Sequence, residues 1–213
     1  MIHRKRDREA ELKAFWRARG APYDAAVSPP DPAGAFSLGA RLAEQGDIEG
    51  ARSAFEQAMA SRDPEYAPAA GVRLGLVLGQ HGDIEGAKEA YRQAVNCGHP
   101  EHSPVAARNL GHLYKRQGRF RQAWGAYQVA IDSGHPDVAP WAMVYLGNLL
   151  SSYANPEPAR ASYQMAVDSG HPEAARQAAK RLATLTAAGH PDLSSSRRPA
   201  TGPARTPTSR SGW

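Results

Sequence analysis

Residues 110–136 read LGHLYKRQGRFRQAWGAYQVAIDSGHP, and the pattern of this stretch recurs along the chain at an offset of 36 residues. A Leu-Gly pair marks four copies, and an alanine, an aromatic residue and a second alanine follow each pair at fixed distances. These positions are Leu38-Gly39, Leu74-Gly75, Leu110-Gly111 and Leu146-Gly147; Ala51, Ala87, Ala123 and Ala159; Phe55, Tyr91, Tyr127 and Tyr163; and Ala58, Ala94, Ala130 and Ala166. A whole packing pattern repeats, which indicates an array of four equivalent units.

Each unit contains two runs of apolar residues at helical spacing, which predicts a helical hairpin. The breaks between the runs in the first three units contain Gly46, Gly82 and Gly118. Asp47 and Asp83 follow two of these breaks and are predicted to cap the second helix. In the fourth unit, Asn155 before Pro156 predicts a cap followed by proline at the first helical position.

A second phrase, Gly-His-Pro, separates the units and predicts where each second helix stops. It occurs as Gly98-His99-Pro100, Gly134-His135-Pro136 and Gly170-His171-Pro172. A left-handed glycine after a helix with proline just beyond it is a common helix stop. The first unit has Arg62, Asp63 and Pro64 instead, so we expect a looser helix end there. A single hairpin cannot bury its apolar surface alone, and the units must therefore stack.

The leucine, glycine, alanine, aromatic and alanine positions resemble the tetratricopeptide repeat family over roughly residues 31–190, and the 36-residue units with their Gly-His-Pro turn resemble actinobacterial arrays of this type. The lengthened glycine-rich turn is also similar to Sel1-like repeats, although the Sel1 glycine insertion inside the hairpin is missing. The resemblance implies an all-α, right-handed α-solenoid. We expect hairpins at about 31–64, 65–100, 101–136 and 137–172, and a capping helix at 173–187.

The N-terminal segment carries its own pattern. Residues 1–20 are basic and place Leu12, Phe15 and Trp16 at helical spacing, which predicts an amphipathic helix before a linker at 21–30. Two uses of this helix are open at this point. It could dock on the first hairpin as a cap, or it could bind an acidic partner, a membrane surface or nucleic acid.

The net charge of +5 belongs to the two ends of the chain. Residues 1–20 contribute +4 and residues 191–213 contribute +3, which leaves −2 for residues 21–190. The body therefore gives no indication of nucleic-acid binding. The tail at 191–213 is rich in Ser, Pro, Thr and Arg and is predicted to be disordered. It is either passive or a source of salt-sensitive contacts with phosphates.

Cys97 is the only cysteine, so no disulfide can form within the chain. We expect a reducing compartment, since disulfides are rare there. The sequence has no apolar run of about 20 residues that would span a bilayer, and its N-terminus lacks the apolar segment of a signal peptide. Cytoplasmic localisation is the expectation.

Signatures of catalysis and of cofactor binding are missing from the sequence. It has no phosphate-binding glycine loop, no His-Glu-x-x-His and no exposed-serine elbow, so we expect neither enzyme activity nor a cofactor. The turn histidines recur once per stacking step of roughly 10 Å, which is too far apart for one metal ion. His99 and His102 are closer, but no carboxylate or cysteine is expected beside them. We therefore expect no metal.

The resemblance implies a concave groove lined by the first helix of each hairpin. We expect the groove to be centred on Arg108, Asn109, His112, Lys115, Trp141, Tyr145 and Asn148. These residues only partly match the lysine and asparagine clamp with which some family members hold a partner's C-terminal carboxylate. An apolar stretch with Phe36, Ala40, Val72 and Leu76 would continue the groove or be covered by the N-terminal segment.

These observations predict a protein-protein interaction scaffold or adaptor that binds a peptide or partner protein in the groove. The basic and polar groove residues leave two alternatives open: they bind a partner that is acidic or carries a free carboxylate, or they form a basic face that is only solvated. The alternative is a nucleic-acid-associated accessory protein that acts through its basic termini.

Overall fold

The computed structural model describes residues 31–153 and 155–189, and all regular secondary structure in this part of the chain is α-helical. The helices are α1 (Pro32–Glu44), α2 (Ile48–Ala60), α3 (Tyr66–Gln80), α4 (Ile84–Asn96), α5 (His102–Arg116), α6 (Phe120–Asp132), α7 (Val138–Ser152), α8 (Pro156–Asp168) and α9 (Pro172–Gly189). The predictions for residues 1–20, 21–30 and 191–213 lie outside the described residues.

The helices form four stacked hairpins, α1–α2, α3–α4, α5–α6 and α7–α8, and α9 packs against the last of them. Each second helix also contacts the first helix of the next hairpin. Successive first helices contact one another, whereas within the described residues no two second helices do. The first helices therefore line the inner, concave face of an α-solenoid, and the predicted fold class is confirmed.

Each hairpin depends on a close contact between a glycine and an aromatic ring. A Cβ atom added at Gly111 would lie 2.5 Å from Cε1 of Tyr127, and one at Gly147 would lie 2.5 Å from Cε1 of Tyr163. Both rings are almost fully buried. The same contact joins Gly39 to Phe55 and Gly75 to Tyr91. A glycine at this position lets the ring lie directly against the backbone of the first helix.

We expect Gly111→Ala to lower the free energy of unfolding by about 1–3 kcal/mol, because the added methyl group overpacks the Tyr127 ring. Gly125 is the matched control, since it also lies inside a helix but has nothing within 4 Å of the position that an added Cβ atom would take. Gly125→Ala should raise stability by about 0.5–1 kcal/mol through helix propensity. Urea unfolding followed by circular dichroism measures both, and equal effects of the two changes would contradict the proposed role of the contact.

The predicted aspartate caps are confirmed. Asp47 accepts a hydrogen bond from the Gly50 N–H at 2.9 Å, and Asp83 caps α4 in the same way. Asn155 occupies the corresponding position before α8, but its side chain makes no capping hydrogen bond. The donor in α2 is the third helical residue, and the third residue of α8 is Pro158, which has no N–H. The prediction for Asn155 was therefore right in position and wrong in its hydrogen bond.

The expectation of a looser end for α2 was wrong. Gly98, Gly134 and Gly170 adopt the predicted left-handed conformation, with φ between 64° and 76°. Arg62 adopts the same conformation with φ of 55°, and α2 ends at Ala60, the same repeat position as Asn96 in α4. The turn is thus preserved, and Arg62 bears a conformation that side chains disfavour.

We expect Arg62→Gly to raise the free energy of unfolding by about 1 kcal/mol, because glycine adopts the left-handed conformation without a steric penalty. Arg62→Ala removes the same long side chain but keeps a Cβ atom, and it should give little or no gain. The midpoints of urea unfolding of the two variants and of the wild type measure these effects. A gain of the same size in both would show that the backbone conformation is not responsible.

Histidines in the turns connect neighbouring units. Nδ1 of His135 accepts hydrogen bonds from the backbone N–H groups of Asp137 and Val138, at 3.2 and 3.3 Å, and so helps to cap α7. Its Nε2 lies 3.0 Å from a carboxylate oxygen of Glu101, at the previous turn. In the first turn Asp63 replaces histidine and accepts the equivalent backbone hydrogen bonds. The turn histidines therefore have a structural role that aspartate can also fill.

Candidate functional site

The seven groove residues expected from the sequence lie on two adjacent first helices, α5 and α7. Arg108 and Lys115 are both close enough to His112 to disfavour its protonated form. Lys115 and Asn148 line one cleft together. The structure thus brings the polar residues of the two helices onto one surface, which we call the groove.

Aromatic rings form a continuous row along the groove. The Tyr145 ring lies edge-on to His112, with 4.4 Å between the ring centroids, and stacks on Trp141 at 5.9 Å. Trp141 continues the row to His171, at 6.2 Å. The row gives the groove a rigid apolar floor, because aromatic side chains lose little conformational freedom on binding.

The buried tyrosines of the second helices reach the groove with their hydroxyl groups. The Tyr163 hydroxyl donates to Oδ1 of Asn148 at 2.9 Å, and the Tyr127 hydroxyl lies 3.1 Å from Nδ1 of His112. Asn109 lies within hydrogen-bonding reach of Tyr91. Because Tyr163 occupies the oxygen of the Asn148 amide, the two N–H groups of that amide remain for a ligand.

His112 remains neutral at physiological pH. Burial, followed by the positive charges of Arg108 and Lys115, lowers its pKa to about 4. The neutral ring can accept a hydrogen bond at Nδ1 from Tyr127, whose own pKa is raised mainly by burial. The cationic character of the groove therefore comes from its arginine and lysine side chains.

The low pKa of His112 predicts a stability change with pH. The unfolded chain protonates this histidine near pH 6.5 and the folded chain only near pH 4, so the free energy of unfolding falls as the pH drops through that window, by up to about 3 kcal/mol. His112→Asn is the control, because Asn148 already accepts the equivalent tyrosine hydroxyl in the next unit. Urea unfolding at pH 7 and at pH 4.5 measures the free energy of unfolding of both proteins. Between these pH values the wild type should lose more of it than His112→Asn does. The same loss in both proteins would contradict this assignment.

A cleft of about 340 Å³ is lined by residues of α5, α7, α8 and α9. Its lining residues are Lys115, Asn148, Ser151, Tyr163, Arg181, Thr184 and Leu185. Within the described residues, neither Lys115 nor Arg181 forms an ion pair. The cleft therefore combines two cations that have no acidic partner there with an amide and three hydroxyl groups.

The first helices of the array have a net positive charge because they contain few acidic residues. The charged residues of α1, α3, α5 and α7, histidines aside, are Arg41, Glu44, Arg73, Arg108, Lys115 and Arg116. The second helices contain more acidic than basic residues. The first and second helices thus differ in the sign of their net charge although the body as a whole is nearly neutral.

Arg181 and Thr184 were missed as groove residues, because α9 was interpreted only as a cap. The 36-residue offset could have found them, since Arg181 follows Asn109, and Thr184 follows His112, by two offsets each. Carrying the offset into the capping helix places both residues at groove positions. The structure bears this out, because Arg181 and Thr184 line the cleft with Lys115.

A second surface that sequence reasoning missed lies on the outer side of α6 and α8. Trp124 is 45% exposed and Met165 is 48% exposed, and both line an apolar cleft of about 230 Å³. At the position of Trp124 the other units have Arg52, Lys88 and Arg160. The replacement of a basic residue by tryptophan is the signal in the repeat pattern that could have indicated this patch.

The structure places Glu65 beside His99 and His102, so the expectation of no carboxylate there was wrong. Their potential ligand atoms lie within 4.8 Å of one another. However, Nδ1 of His99 accepts the backbone N–H groups of Glu101 and His102, at 3.1 and 3.3 Å, so the neutral ring carries its proton on Nε2. A protonated nitrogen cannot bind a metal, and capping and metal binding through His99 therefore exclude each other.

Comparison with known proteins identifies the fold. The tetratricopeptide repeat-like domain family matches residues 34–151, more than half of the chain. The chain belongs to this family. Tetratricopeptide arrays are in general protein-protein interaction scaffolds. Among the described helices of this array, none has the length and hydropathy needed to cross a membrane.

Three solved structures share the fold at low sequence identity. BtubC (BKLC) from P. vanneervenii is 16% identical, with a TM-score of 0.55 over 86% of this chain and 90% of that chain. MamA is 18% identical, with a TM-score of 0.55 over 73% of this chain and 86% of that chain. A tetratricopeptide repeat protein from Parabacteroides merdae is 18% identical, with a TM-score of 0.58 over 74% of this chain and 60% of that chain. No curated protein sequence matches the chain.

Proposed function

We propose that this tetratricopeptide array is an adaptor that binds an extended peptide segment of a partner protein in its groove, and that the segment carries an acidic side chain or a free C-terminal carboxylate. The observation that carries the proposal is the cleft in which Lys115 and Arg181 meet the Asn148 amide. A carboxylate placed there would accept charge-assisted hydrogen bonds from both cations and from the amide N–H groups.

The aromatic row supports an extended ligand that continues beyond the cleft. Trp141, Tyr145 and His112 form an apolar surface next to Asn148, and aromatic residues with arginine are the side chains that most often dominate binding energy at interfaces. Arg108 adds a cation at the far side of His112. A peptide of alternating acidic and apolar side chains would match this sequence of surfaces.

The groove is preorganised by contacts inside the array, which favours binding without a large conformational cost. Tyr163 fixes the orientation of the Asn148 amide, and Tyr127 fixes that of the His112 ring. The exposed thiol of Cys97 suits a reducing compartment, and we place the adaptor in the cytoplasm. The alternative of a nucleic-acid accessory protein depends on residues 1–20 and 191–213, and no comparison supports it.

The proposal predicts a charge-dependent peptide preference. A display library of random octapeptides with free C-termini should yield acidic or C-terminally anchored sequences on the wild-type array. Lys115→Glu or Arg181→Glu should lower the affinity for the selected peptides by at least about tenfold, because each change places a negative charge in the cleft. Arg121→Glu is the matched control, since Arg121 is exposed on α6, away from the cleft.

The selected peptides should also be compared as free acids and as C-terminal amides by calorimetry. If the amide binds more weakly than the free acid, the C-terminal carboxylate is the group held in the cleft. If both forms bind equally, that group is an acidic side chain. Peptides that bind Lys115→Glu, Arg181→Glu and Arg121→Glu as tightly as the wild type would refute the cleft as the binding site.

A further inference from the structure

One stripe of α1 is more exposed than the same stripe of every later first helix, where it is buried. Leu38 is 38% exposed, whereas its equivalents Leu74, Leu110 and Leu146 are 3%, 7% and 6% exposed. Gly34 and Leu42 lie on the same side of α1, four residues before and after Leu38. We call Gly34, Leu38 and Leu42 the α1 face.

The later leucines are buried where a preceding second helix packs on the first helix. Leu110 borders the same small cleft as Val95 of α4, and Leu146 borders one with Ile131 of α6. α1 has no preceding helix within the described residues. The α1 face is therefore a repeat-stacking surface that has no partner in that part of the chain.

The thirty residues that precede α1 contain a segment with the right apolar pattern. Leu12, Phe15 and Trp16 stand at spacings of three and four residues, as the apolar stripe of a docking helix requires. Residues 21–30 separate this segment from α1 and span up to roughly 30 Å when extended. Residues 61–65, which join α2 to α3, make the equivalent connection with half as many residues.

Charge favours the same pairing. Residues 1–20 have a net charge of +4, and residues 31–60, which form the first hairpin, have a net charge of −3. Glu49 and Glu56 of α2 are exposed, and only Arg52 of the same helix balances their charge. Opposite charges on two surfaces steer them together and suppress wrong partners.

We propose that residues 1–20 pack on the α1 face, in the position that the second helix of the preceding unit takes on each later first helix. Leu12, Phe15 and Trp16 cover Leu38 and Leu42, and the basic residues of the segment lie toward the acidic first hairpin. The segment is thus an N-terminal cap made by the chain itself, and it protects an apolar surface of the kind that leads exposed proteins to associate.

Hydrogen exchange of the full chain, read by mass spectrometry, tests the cap. Phe15→Ser/Trp16→Ser and Leu38→Asp should each speed exchange of the α1 amides at least tenfold and leave α7 unchanged, which also confirms that the array is folded. Combining all three changes should speed the exchange of α1 little further, because the two variants break the same contact. Leu76→Asp is the matched control, since Leu76 is 41% exposed but lies on the groove side of α3, and it should leave α1 exchange unchanged.

Three outcomes would overturn the cap. One is that residues 1–20 of the wild-type chain exchange as fast as an unstructured peptide. Another is that α1 exchange is indifferent to Phe15→Ser/Trp16→Ser. The third is that the wild-type chain forms a dimer in sedimentation that Leu38→Asp dissociates, because a second copy would then occupy the α1 face.

Discussion

The missing side chain at Gly75, Gly111 and Gly147 is the constraint on which the array depends. Any Cβ atom at these positions would overlap the ring of the tyrosine that closes the hairpin. On the inner face, the hydroxyl group of Tyr127 contacts His112 and that of Tyr163 contacts Asn148. One contact therefore determines both the packing of a hairpin and the orientation of its groove residues.

The repeat then separates structure from recognition. Residues that pack the hairpins are nearly invariant between units, whereas the residue after the glycine changes along the array from Ala40 and Leu76 to His112 and Asn148. In the last two units this residue is polar and hydrogen-bonds the tyrosine of its own hairpin. In the second unit Leu76 offers no polar partner, and Asn109 of the next unit lies near the Tyr91 hydroxyl group.

The hairpins and their stacking could be predicted from sequence because steric rules restrict the residues at those positions. Local departures from the repeat pattern were harder to predict. The left-handed Arg62 breaks a residue preference while keeping the backbone path, and the capping bond of Asn155 is lost because Pro158 has no donor. The contact of Glu65 with His99 joins the turns of two neighbouring units, 34 positions apart, and spacing within one unit does not reveal it.

Helix α9 has two roles at the C-terminal end of the array, and together they explain the position of the cleft. A terminal unit must cover an apolar stacking face, and α9 does so with Ala174 and Ala178, which are fully buried. The other side of α9 continues the inner face and supplies Arg181. Because the inner face is apolar near Leu76 and cationic near α9, a peptide bound as proposed would place its acidic group toward α9 and its apolar side chains toward α3. The capping helix would then determine the direction in which the ligand lies.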